Sequence, residues 1–410
     1  MADEEYVVRH LETKADIAGH LELMRNVFGQ NSRVDLMVKK WIDHYPAIDL
    51  EDFFVIKHRG KIVAALNIIP STWSVGGVPL KVAELACVAT LPEYRRVGLQ
   101  RRLMKEYHKQ IEEEGYDLSA IEGIPYYYRQ FGYEYALPLL EETRITLEKV
   151  PDYKSTHVIR PLSETDIPKA KQLLADSQRK FNVHAIREEA VWKMQQETGM
   201  IADAKFEGYA VEDKGKMAAY LRISENQEAK ELLLREISDA DQLTAKSILT
   251  FLKNIGKQRG LETLVVAVSY HESFVKHLLA TGEAKQSNPY AWQMRVTDHS
   301  KLFGRLKPLF EKRIADSTFR RLTEKVSFNF YCFAVQIAFE NGTITSIQRL
   351  ETVEDRTIRF NPLVSVQLLL GYRSREELEA IYPDFLVRPS HKYLVDVLFP
   401  KLPSYIHTNY

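Results

Sequence analysis

The sequence predicts a mixed α+β fold of three domains, the first two of which are copies of one module. Three observations support this prediction. Several stretches from the first part of the chain recur in its middle part, each copy reads as strands followed by a helix and a further strand, and the last part follows a different α+β pattern. The length of 410 residues also exceeds that of one ordinary domain. We expect the domains to comprise residues 1–150, 151–296 and 297–410.

The opening stretches of the two copies carry the repeat. VVRHLETKADI, at residues 7–17, resembles VIRPLSETDI at residues 158–167 with one residue dropped. Further along, FVIKHRGKIVAALNI at residues 54–68 aligns without gaps with YAVEDKGKMAAYLRI at residues 209–223. Both of these longer stretches alternate apolar and polar residues on either side of a polar turn that contains glycine. This pattern predicts a hairpin of two half-buried strands in each copy.

The two copies differ in their third stretch. LACVATLPEYRRVGLQRRL, starting at Leu85, matches LREISDADQLTAKSILTFL, starting at Leu234, only in its apolar positions. Two arginines and a glycine of the first copy are replaced in the second, since Arg95, Arg96 and Gly98 stand opposite Thr244, Ala245 and Ser247. The second copy is therefore predicted to be degenerate.

An amphipathic helix follows in each copy. In the first copy, apolar residues recur every four positions and a glycine caps the end; these residues are Leu99, Leu103, Tyr107, Ile111 and Gly115. The second helix is predicted to stop at Gly260. A short apolar strand comes next in both copies, as YDLSAIE and ETLVVAV.

The last part of the chain predicts a third α+β domain. FNFYCFAVQIAFENGTITSIQRL reads as two strands joined at Asn341 and Gly342, the sequence signal of a type I′ turn. The stretches PLVSVQLLLGY and SREELEAIY follow with helical patterns, and Ser374 and Glu377 have the spacing of a capping box.

The composition limits the possible functions. The 56 basic and 56 acidic residues give a net charge of zero, so the overall charge does not favour nucleic acid or an anionic membrane as a partner. The two cysteines, Cys87 and Cys332, lie far apart, and the histidines lack metal-binding spacings, so we expect neither a disulfide nor a metal site. The acidic N-terminus and the lack of a long apolar run lead us to expect a cytoplasmic protein.

Arg95, Arg96 and Gly98 lie where a strand ends and a helix starts. The N-terminus of a helix exposes unpaired backbone N–H groups and the positive end of the helix dipole, so it can hold an anion such as a diphosphate. Gly98 lets a bulky anion approach the backbone, and the arginines supply positive charge. For an RRxG stretch taken alone, a solvated basic turn is the alternative, and the surrounding sequence has to decide.

That surrounding sequence resembles the GCN5-related N-acetyltransferase (GNAT) superfamily, in which an Arg/Gln-x-x-Gly-x-Gly/Ala motif after a strand binds acetyl-CoA. The matching run here is RRVGLQ, preceded by the strand AELACVAT, and Gln100 departs from the small residue of the motif. The resemblance implies that the strand end pairs with the pantetheine amides and that a strand N–H polarises the thioester. The residues implied to bind acetyl-CoA are Cys87, Val88, Ala89, Thr90, Arg95, Arg96, Val97, Gly98, Leu99 and Gln100.

The stretch YYYRQFGYEYA, at residues 126–136, supplies a second match to the superfamily. Members often carry Tyr-x-x-Phe-Gly-Phe/Tyr at this place, and Tyr128 stands where a tyrosine protonates the departing CoA thiolate. A phenol is close to an alkyl thiol in acidity, so it can donate this proton. A surface aromatic residue beside a core phenylalanine is the alternative. The second copy has Leu278 opposite Tyr128, so it lacks both the phenol and the anion site.

The whole arrangement resembles the enhanced intracellular survival (Eis-type) N-acetyltransferases, which have two GNAT-like domains and a domain folded like sterol carrier protein 2. The resemblance implies a metal-independent transfer of acetyl from acetyl-CoA to a primary amine of an aminoglycoside, a polyamine or a lysine side chain. It also implies that the terminal carboxylate, here that of Tyr410, is the general base, although a frayed chain end is the ordinary alternative. Because family members commonly form hexamers, we expect a homo-oligomer.

Two other functions stay open at this point. The third domain resembles a lipid carrier, so the protein could bind an apolar ligand without doing chemistry. It could also bind acetyl-CoA as a sensor without turnover. The tyrosine at position 128 argues against a sensor, because binding alone needs no proton donor.

Overall fold

The computed structural model of the chain describes residues 6–351 and 357–408. The first stretch of elements comprises β1 (Val8–His10), α1 (Lys14–Phe28), α2 (Val34–His44), β2 (Phe53–His58), β3 (Lys61–Val75), β4 (Val78–Thr90), α3 (Leu99–Glu113), β5 (Leu118–Ile121), β6 (Glu134–Leu139) and β7 (Thr143–Thr146).

The middle stretch comprises β8 (Val158–Pro161), α4 (Ile167–Gln178), β9 (Val183–Ala185), α5 (Glu189–Thr198), β10 (Met200–Ile201), β11 (Ala204–Lys205), β12 (Glu207–Asp213), β13 (Lys216–Asn226), β14 (Glu231–Ile237), α6 (Gln242–Gln258), β15 (Thr263–Val266), α7 (Ser273–Leu279), β16 (Lys285–Gln286) and β17 (Tyr290–Val296). The last stretch comprises α8 (His299–Arg305), α9 (Lys307–Ala315), β18 (Glu324–Asn329), β19 (Ala334–Glu340), β20 (Thr343–Leu350), β21 (Ile358–Arg359), α10 (Ser365–Leu369), α11 (Arg375–Ile381), β22 (Leu386–Val387) and α12 (Pro389–Leu398).

The first sheet has the strand order β1-β2-β3-β4-β5-β17-β6, and β9 pairs with the far end of β3. Strands β4 and β5 run parallel, and the other neighbours are antiparallel. The pairing of β4 with β5 covers residues 82–84 and 118–120 and then stops. Because β4 continues to Thr90, the two strands separate beyond Glu84 and leave a cleft between them.

The second sheet repeats this plan with the order β16-β7-β15-β14-β13-β12-β8, and its one parallel pair is β14 with β15. The hairpins predicted from the repeat are confirmed: β2 pairs with β3 across the turn at Arg59 and Gly60, and β12 pairs with β13 across the turn at Lys214 and Gly215. The predicted helices are confirmed as α3 and α6, and in α3 the four apolar residues of the periodic pattern are buried.

The two sheets exchange a strand. β7 leaves the first copy and lies between β15 and β16 of the second sheet. β17 leaves the second copy and lies between β5 and β6 of the first sheet, where Gln293 pairs with Ile121 on one side and with Tyr135 on the other. Each sheet is therefore completed by the other part of the chain. The boundaries at residues 150 and 296 stay a prediction. β7 precedes the boundary at residue 150 but belongs to the second sheet, and β17 precedes the boundary at residue 296 but belongs to the first sheet.

The third sheet, with the order β20-β19-β18-β21-β22, belongs to the last part of the chain. Asn341 and Gly342 have φ angles of 48° and 81°, which confirms the turn predicted between β19 and β20. The capping box of α11 is also present, with the Ser374 and Glu377 side chains each accepting from the other's backbone N–H.

Two hydrophobic cores cover the two faces of the first sheet. One contains residues of α1, α2 and α3, among them Leu23, Trp41 and Tyr107. The other joins Trp73 and Trp292 of the first sheet to the third part of the chain, whose interior is filled with packed phenylalanine rings: Phe303, Phe310, Phe328, Phe330, Phe360, Phe385 and Phe399. The third part is thus packed directly against the sheet that carries the cleft. Whether it shares the fold of sterol carrier protein 2 stays a prediction.

Across residues 6–351 and 357–408, no helix has both the length and the apolar character that a membrane span requires.

Candidate functional site

A cavity of about 910 Å³ occupies the place where β4 and β5 separate. The end of β4 and the start of α3 form one side of it, and α1 and α2 contribute Phe28 and Trp41 to another. The segment after β5 closes the cavity with Tyr127, Tyr128 and neighbouring residues. The cleft opened by the sheet is therefore bounded by the elements on which the sequence placed its candidate residues.

A β-bulge bends the end of β4. Ala86 pairs with Asn67 and Ala89 with Ala65, so Cys87 and Val88 together stand opposite a single residue, and Cys87 adopts a φ of 51°. Beyond Glu84 no described strand pairs with the side of β4 that faces β5. Residues 87–90 can therefore offer backbone groups to an extended ligand in the cleft.

The start of α3 has the geometry of an anion site. Gly98 precedes the helix with a φ of 85°, Arg96 has a φ of 66°, and no side chain caps the helix N-terminus. A Cβ atom at Gly98 would meet nothing within 4 Å, so the backbone angle, not crowding, requires glycine there. The first N–H groups of α3 consequently face open space beside two arginines.

Gln100 stands where a small residue was expected, and the direction of its side chain shows how the larger residue is accommodated. Its side-chain Nε2 donates to the backbone oxygen of Ala89 at 2.7 Å and to Oγ1 of Thr90 at 2.9 Å. The side chain thus folds back onto β4 and fastens α3 to the strand. The amide groups at the start of the helix remain open despite the larger residue.

Most of the predicted cofactor-binding residues line the cavity: Cys87, Val88, Thr90, Arg95, Arg96, Gly98, Leu99 and Gln100. Ala89 does not line it, because the residue is buried behind the strand. Val97 does not line it either, and its side chain is 56% exposed. For these two residues a binding role stays a prediction that would involve the backbone only.

Tyr128 lies in a short 3₁₀ helix, Tyr127–Phe131, and is 5% exposed. Its ring packs against the backbone of Gly123, where any Cβ atom would overlap it. Burial raises the pKa of Tyr128 well above that of an ordinary tyrosine, with smaller contributions from Tyr127 and Tyr133. The phenol therefore keeps its proton at neutral pH and can act as a donor.

The exchanged strand β17 holds the loop under Tyr128. The Tyr290 hydroxyl donates to the backbone oxygen of Gly123 at 2.7 Å, and Nε2 of Gln293 donates to the same oxygen at 2.9 Å. A residue far along the sequence thus fixes the backbone on which the phenol rests.

The sequence analysis missed Glu122, which directly follows β5. It lines the 910 Å³ cavity and also a second cavity of about 260 Å³. Glu122 is exposed to the space of these cavities, yet the protein packed around its carboxyl group limits hydration, and this, reinforced by the nearby Asp203, raises the pKa of Glu122 to about 7. The available signal was a carboxylate placed immediately after a buried parallel strand. Glu84 of β4 lines the large cavity as well and is buried.

Acidic residues outnumber basic ones in the lining of the second cavity. Its walls include Glu141, Glu142 and Asp203. The end of the chain closes it with residues 405–408. A cationic group would find negative charge there, next to the cavity that holds Tyr128.

The corresponding place in the second copy is closed. The Asp241 carboxylate caps α6 by accepting from the backbone N–H of Thr244 at 2.8 Å. The ring of His157 lies across the same helix end, with Nδ1 3.0 Å from Ser247 Oγ and Nε2 3.2 Å from Thr244 Oγ1. A carboxylate occupies the place where an anion would bind, and Leu278, opposite Tyr128, is buried in the core.

The end of the chain is fixed to the second copy. The backbone N–H of Tyr405 donates to the oxygen of Val183 at 3.0 Å, and Arg187 donates to the Thr408 oxygen at 2.6 Å. Arg187 also forms a buried ion pair with Glu236 at 2.6 Å. The predicted general base, Tyr410, lies outside the described residues.

Residues 8–136 match the family model described as an acetyltransferase (GNAT) domain. No curated protein sequence matches the chain.

Several solved structures are similar over the whole length. A GCN5-related N-acetyltransferase from Anabaena variabilis has a TM-score of 0.75 and 16% identity, covering 99% of this chain and 100% of that chain. A conserved protein of unknown function from Enterococcus faecalis, a probable N-acyltransferase, has a TM-score of 0.75 and 17% identity with the same coverage. Eis1 from Mycobacterium abscessus has a TM-score of 0.67 and 13% identity, again covering 99% and 100%. At these identities the likeness concerns the fold.

Proposed function

Residues 8–136 form an acetyltransferase (GNAT) domain, so the chain is an acyltransferase, and from this we propose that it transfers acetyl from acetyl-CoA to a primary amine by direct attack. The observation that carries the proposal is that one cavity brings together the open start of α3, the unpaired edge of β4 and the Tyr128 phenol.

The proposed place of acetyl-CoA follows from the open groups of the cavity. The backbone amides from Arg96 to Leu99 bind the diphosphate, and Arg95 and Arg96 supply charge. The pantetheine arm lies along residues 87–90 as an added strand would, and the N–H of Val88 polarises the thioester carbonyl. The cleft, the bulge and the uncapped helix support this placement. The transfer needs no metal.

Three groups share the chemistry in this proposal. A neutral amine attacks the thioester carbon and forms the C–N bond. As the C–S bond breaks, Tyr128 gives its proton to the thiolate. The terminal carboxylate of Tyr410 is the proposed general base. The attachment of residues 405–408 supports this base, because these residues line the second cavity, which adjoins the cleft at Glu122.

The acceptor is proposed to be an aminoglycoside, a polyamine or a lysine-like amine. The acidic second cavity supports a substrate with more than one ammonium group. The whole-length fold likeness supports an Eis-type arrangement, with a degenerate second GNAT-like domain and a domain like sterol carrier protein 2. We further expect a homo-oligomer, up to a hexamer, in the cytoplasm. A lipid carrier receives less support, because phenylalanine rings fill the third part of the chain.

Initial rates of CoA release from acetyl-CoA test the proposal. The panel contains aminoglycosides, polyamines and lysine peptides, and acetylated product is confirmed by mass spectrometry. We expect saturable turnover with at least one amine. Tight binding of acetyl-CoA without turnover of any amine would contradict the enzyme proposal and favour a sensor.

The role of Tyr410 is tested by moving the carboxylate. Removing Tyr410, or extending the chain beyond it by a short Gly-Ser tail, should abolish turnover and leave acetyl-CoA affinity unchanged. The same tail placed at the N-terminus is the control and should leave the rate unchanged. Full activity in the C-terminally extended protein would reject the terminal carboxylate as the base.

A further inference from the structure

We propose that the carboxylate of Glu122 takes the proton from the ammonium form of the acceptor before the amine attacks, an inference that rests on the function proposed above. It adds a side-chain proton acceptor to the terminal carboxylate already proposed.

The place of Glu122 in the sheet supports this role. β5 ends at Ile121, so Glu122 is the first residue beyond the strand, on the side of the cleft opposite β4. Among the residues that line the two cavities in the described part of the chain, Glu122 is the one that both share. An amine held between the acidic cavity and the cleft would therefore lie beside this carboxylate.

Glu122 and Tyr128 are linked through the backbone of Gly123. The ring of Tyr128 packs directly on the backbone of Gly123, the neighbour of Glu122 in sequence. Tyr290 and Gln293 hold the Gly123 oxygen from the other side. The proposed acid and the proposed proton acceptor thus sit on one short, well-fixed segment.

The charged groups around Glu122 favour a carboxyl group that gains and loses its proton near neutral pH. In the part of the chain that the structure describes, no lysine or arginine forms an ion pair with Glu122. The cavity that Glu122 shares with the cleft is also lined by Glu84 of β4 and by Tyr127 and Tyr128 of the 3₁₀ helix. The second cavity presents the titratable groups of Asp203, Glu141, Glu142, Arg235, Glu236, Tyr405 and His407.

Three of these groups do not compete for the proton. Burial lowers the pKa of His407 to about 4, so its ring is neutral at pH 7. Burial raises the pKa of Tyr405, so its phenol is neutral as well. Although burial alone would raise the pKa of Glu236, Arg187 and Arg222 hold it below the usual range. Glu122 itself, with a pKa of about 7, can accept a proton and release it to solvent.

The proton balance closes with these groups. The ammonium gives one proton to Glu122 and becomes a nucleophile, and its lone pair forms the C–N bond. The C–S bond breaks, and Tyr128 protonates the thiolate. The nitrogen then gives its second proton to the proposed base, the terminal carboxylate of Tyr410, which passes it to Tyr128, and Glu122 releases the first proton to solvent. The products are one amide, one thiol and one proton.

The test compares the pH dependence of kcat/KM for the wild type, Glu122→Gln and Glu148→Gln, an exposed control. We expect the wild-type and control values to fall together below about pH 7, where Glu122 becomes protonated. Glu122→Gln should lose this acidic limb, and its kcat/KM should be lower by ~10²–10⁴-fold. Acetyl-CoA affinity should be unchanged, which also shows that the variant is folded.

A second substrate separates chemistry from structure. A fluorinated analogue of the accepted amine, already neutral at pH 7, needs no proton acceptor, so Glu122→Gln should turn it over at nearly the wild-type rate. An unchanged acidic limb in the variant, or an equal loss with both amines, would overturn the proposal. If Glu122→Gln does not fold, the wild type alone can test the proposal. A kcat/KM for the neutral analogue that still falls below about pH 7 would then overturn the proposal. A wild type without turnover of any amine would contradict the proposed function itself.

Discussion

In the proposed reaction Tyr128 is the proton donor, and its surroundings suit this role. Its ring is almost fully buried between Tyr127, Tyr133 and the backbone of Gly123, with ring centroids 5.0 Å and 6.1 Å from the two tyrosines. Because burial disfavours the phenolate, the hydroxyl keeps its proton until a strong base appears beside it. A CoA thiolate expelled into the cleft is such a base.

Removal of this hydroxyl gives a direct prediction. Tyr128→Phe keeps the ring packing but removes the proton donor, so kcat should fall by ~10²–10⁴-fold with acetyl-CoA affinity unchanged. Steady-state kinetics and calorimetric titration measure the two quantities. Tyr209→Phe is the matched control, because its hydroxyl contacts Glu207 in the second copy and its loss should not affect kcat. A wild-type rate in Tyr128→Phe would mean that another group protonates the thiolate.

The sequence could predict those site residues that lie within one local pattern. Arg95, Arg96 and Gly98 stand at a strand-to-helix junction, and Tyr128 stands in a recognisable aromatic run. Glu122 escaped because its significance depends on two cavities that meet only in the folded chain. The role of Gln100 could not be predicted either, since the direction of its side chain is set by the strand it binds.

At the scale of elements, α3 and α6 are corresponding helices of the two copies, but their N-termini differ. The N-terminus of α3 is open and that of α6 is closed. The start of α3 is uncapped and lies on the large cavity, whereas α6 is capped by Asp241 and covered by His157. A carboxylate at a helix N-terminus satisfies the N–H groups that a phosphate would need and repels the phosphate charge. The second copy therefore has no open anion site at this helix.

The expected stoichiometry is one acetyl-CoA per chain, measured by calorimetric titration. Gly98→Val should abolish this binding, because a β-branched residue is strained at a φ of 85° and would intrude on the open N–H groups. Gly115→Val is the matched control at the other end of α3, where φ is 71° and a Cβ atom also meets open space. A stoichiometry of two, or binding that survives in Gly98→Val, would place a site elsewhere.

The hairpins and the helix α3 could be predicted from the sequence. Glycine turns and alternating residues identified the hairpins, and the four-residue period with a terminal glycine identified α3. The strand exchange could not be predicted from the sequence. Alternation within a strand shows which of its faces is buried, but it does not show which strand lies beside it. β7 and β17 look like ordinary strands of their own copies, and only the tertiary pairing shows otherwise.

At the scale of the whole molecule, a buried polar cluster ties the chain end to the second copy. Arg187 and Glu236 are 2% and 3% exposed, and Arg187 also donates to the Thr408 oxygen. The Tyr220 hydroxyl donates to Glu236 at 2.9 Å, and Trp192 stacks under the Arg187 guanidinium at 4.7 Å. Such a cluster holds its geometry only if every member is present.

Arg187→Gln should therefore destabilise the protein by ~3–5 kcal/mol, because it leaves the Glu236 carboxylate buried without its main partner. Urea unfolding followed by fluorescence measures the loss. Arg160→Gln is the control, since Arg160 pairs with Asp166 on the surface and its removal should cost ~0–1 kcal/mol. Equal losses in the two variants would contradict the assignment.

The exchange of β7 and β17 determines which deletions in its gene this protein can tolerate. A repeated module that completes its own sheet can be deleted without breaking the sheet of its neighbour. Here its deletion would remove β17 from between β5 and β6, together with the Tyr290 and Gln293 contacts beneath Tyr128. The second copy can thus close its own helix end with Asp241 and His157, but a gene that lost this copy would also lose a strand of the sheet that carries the cleft.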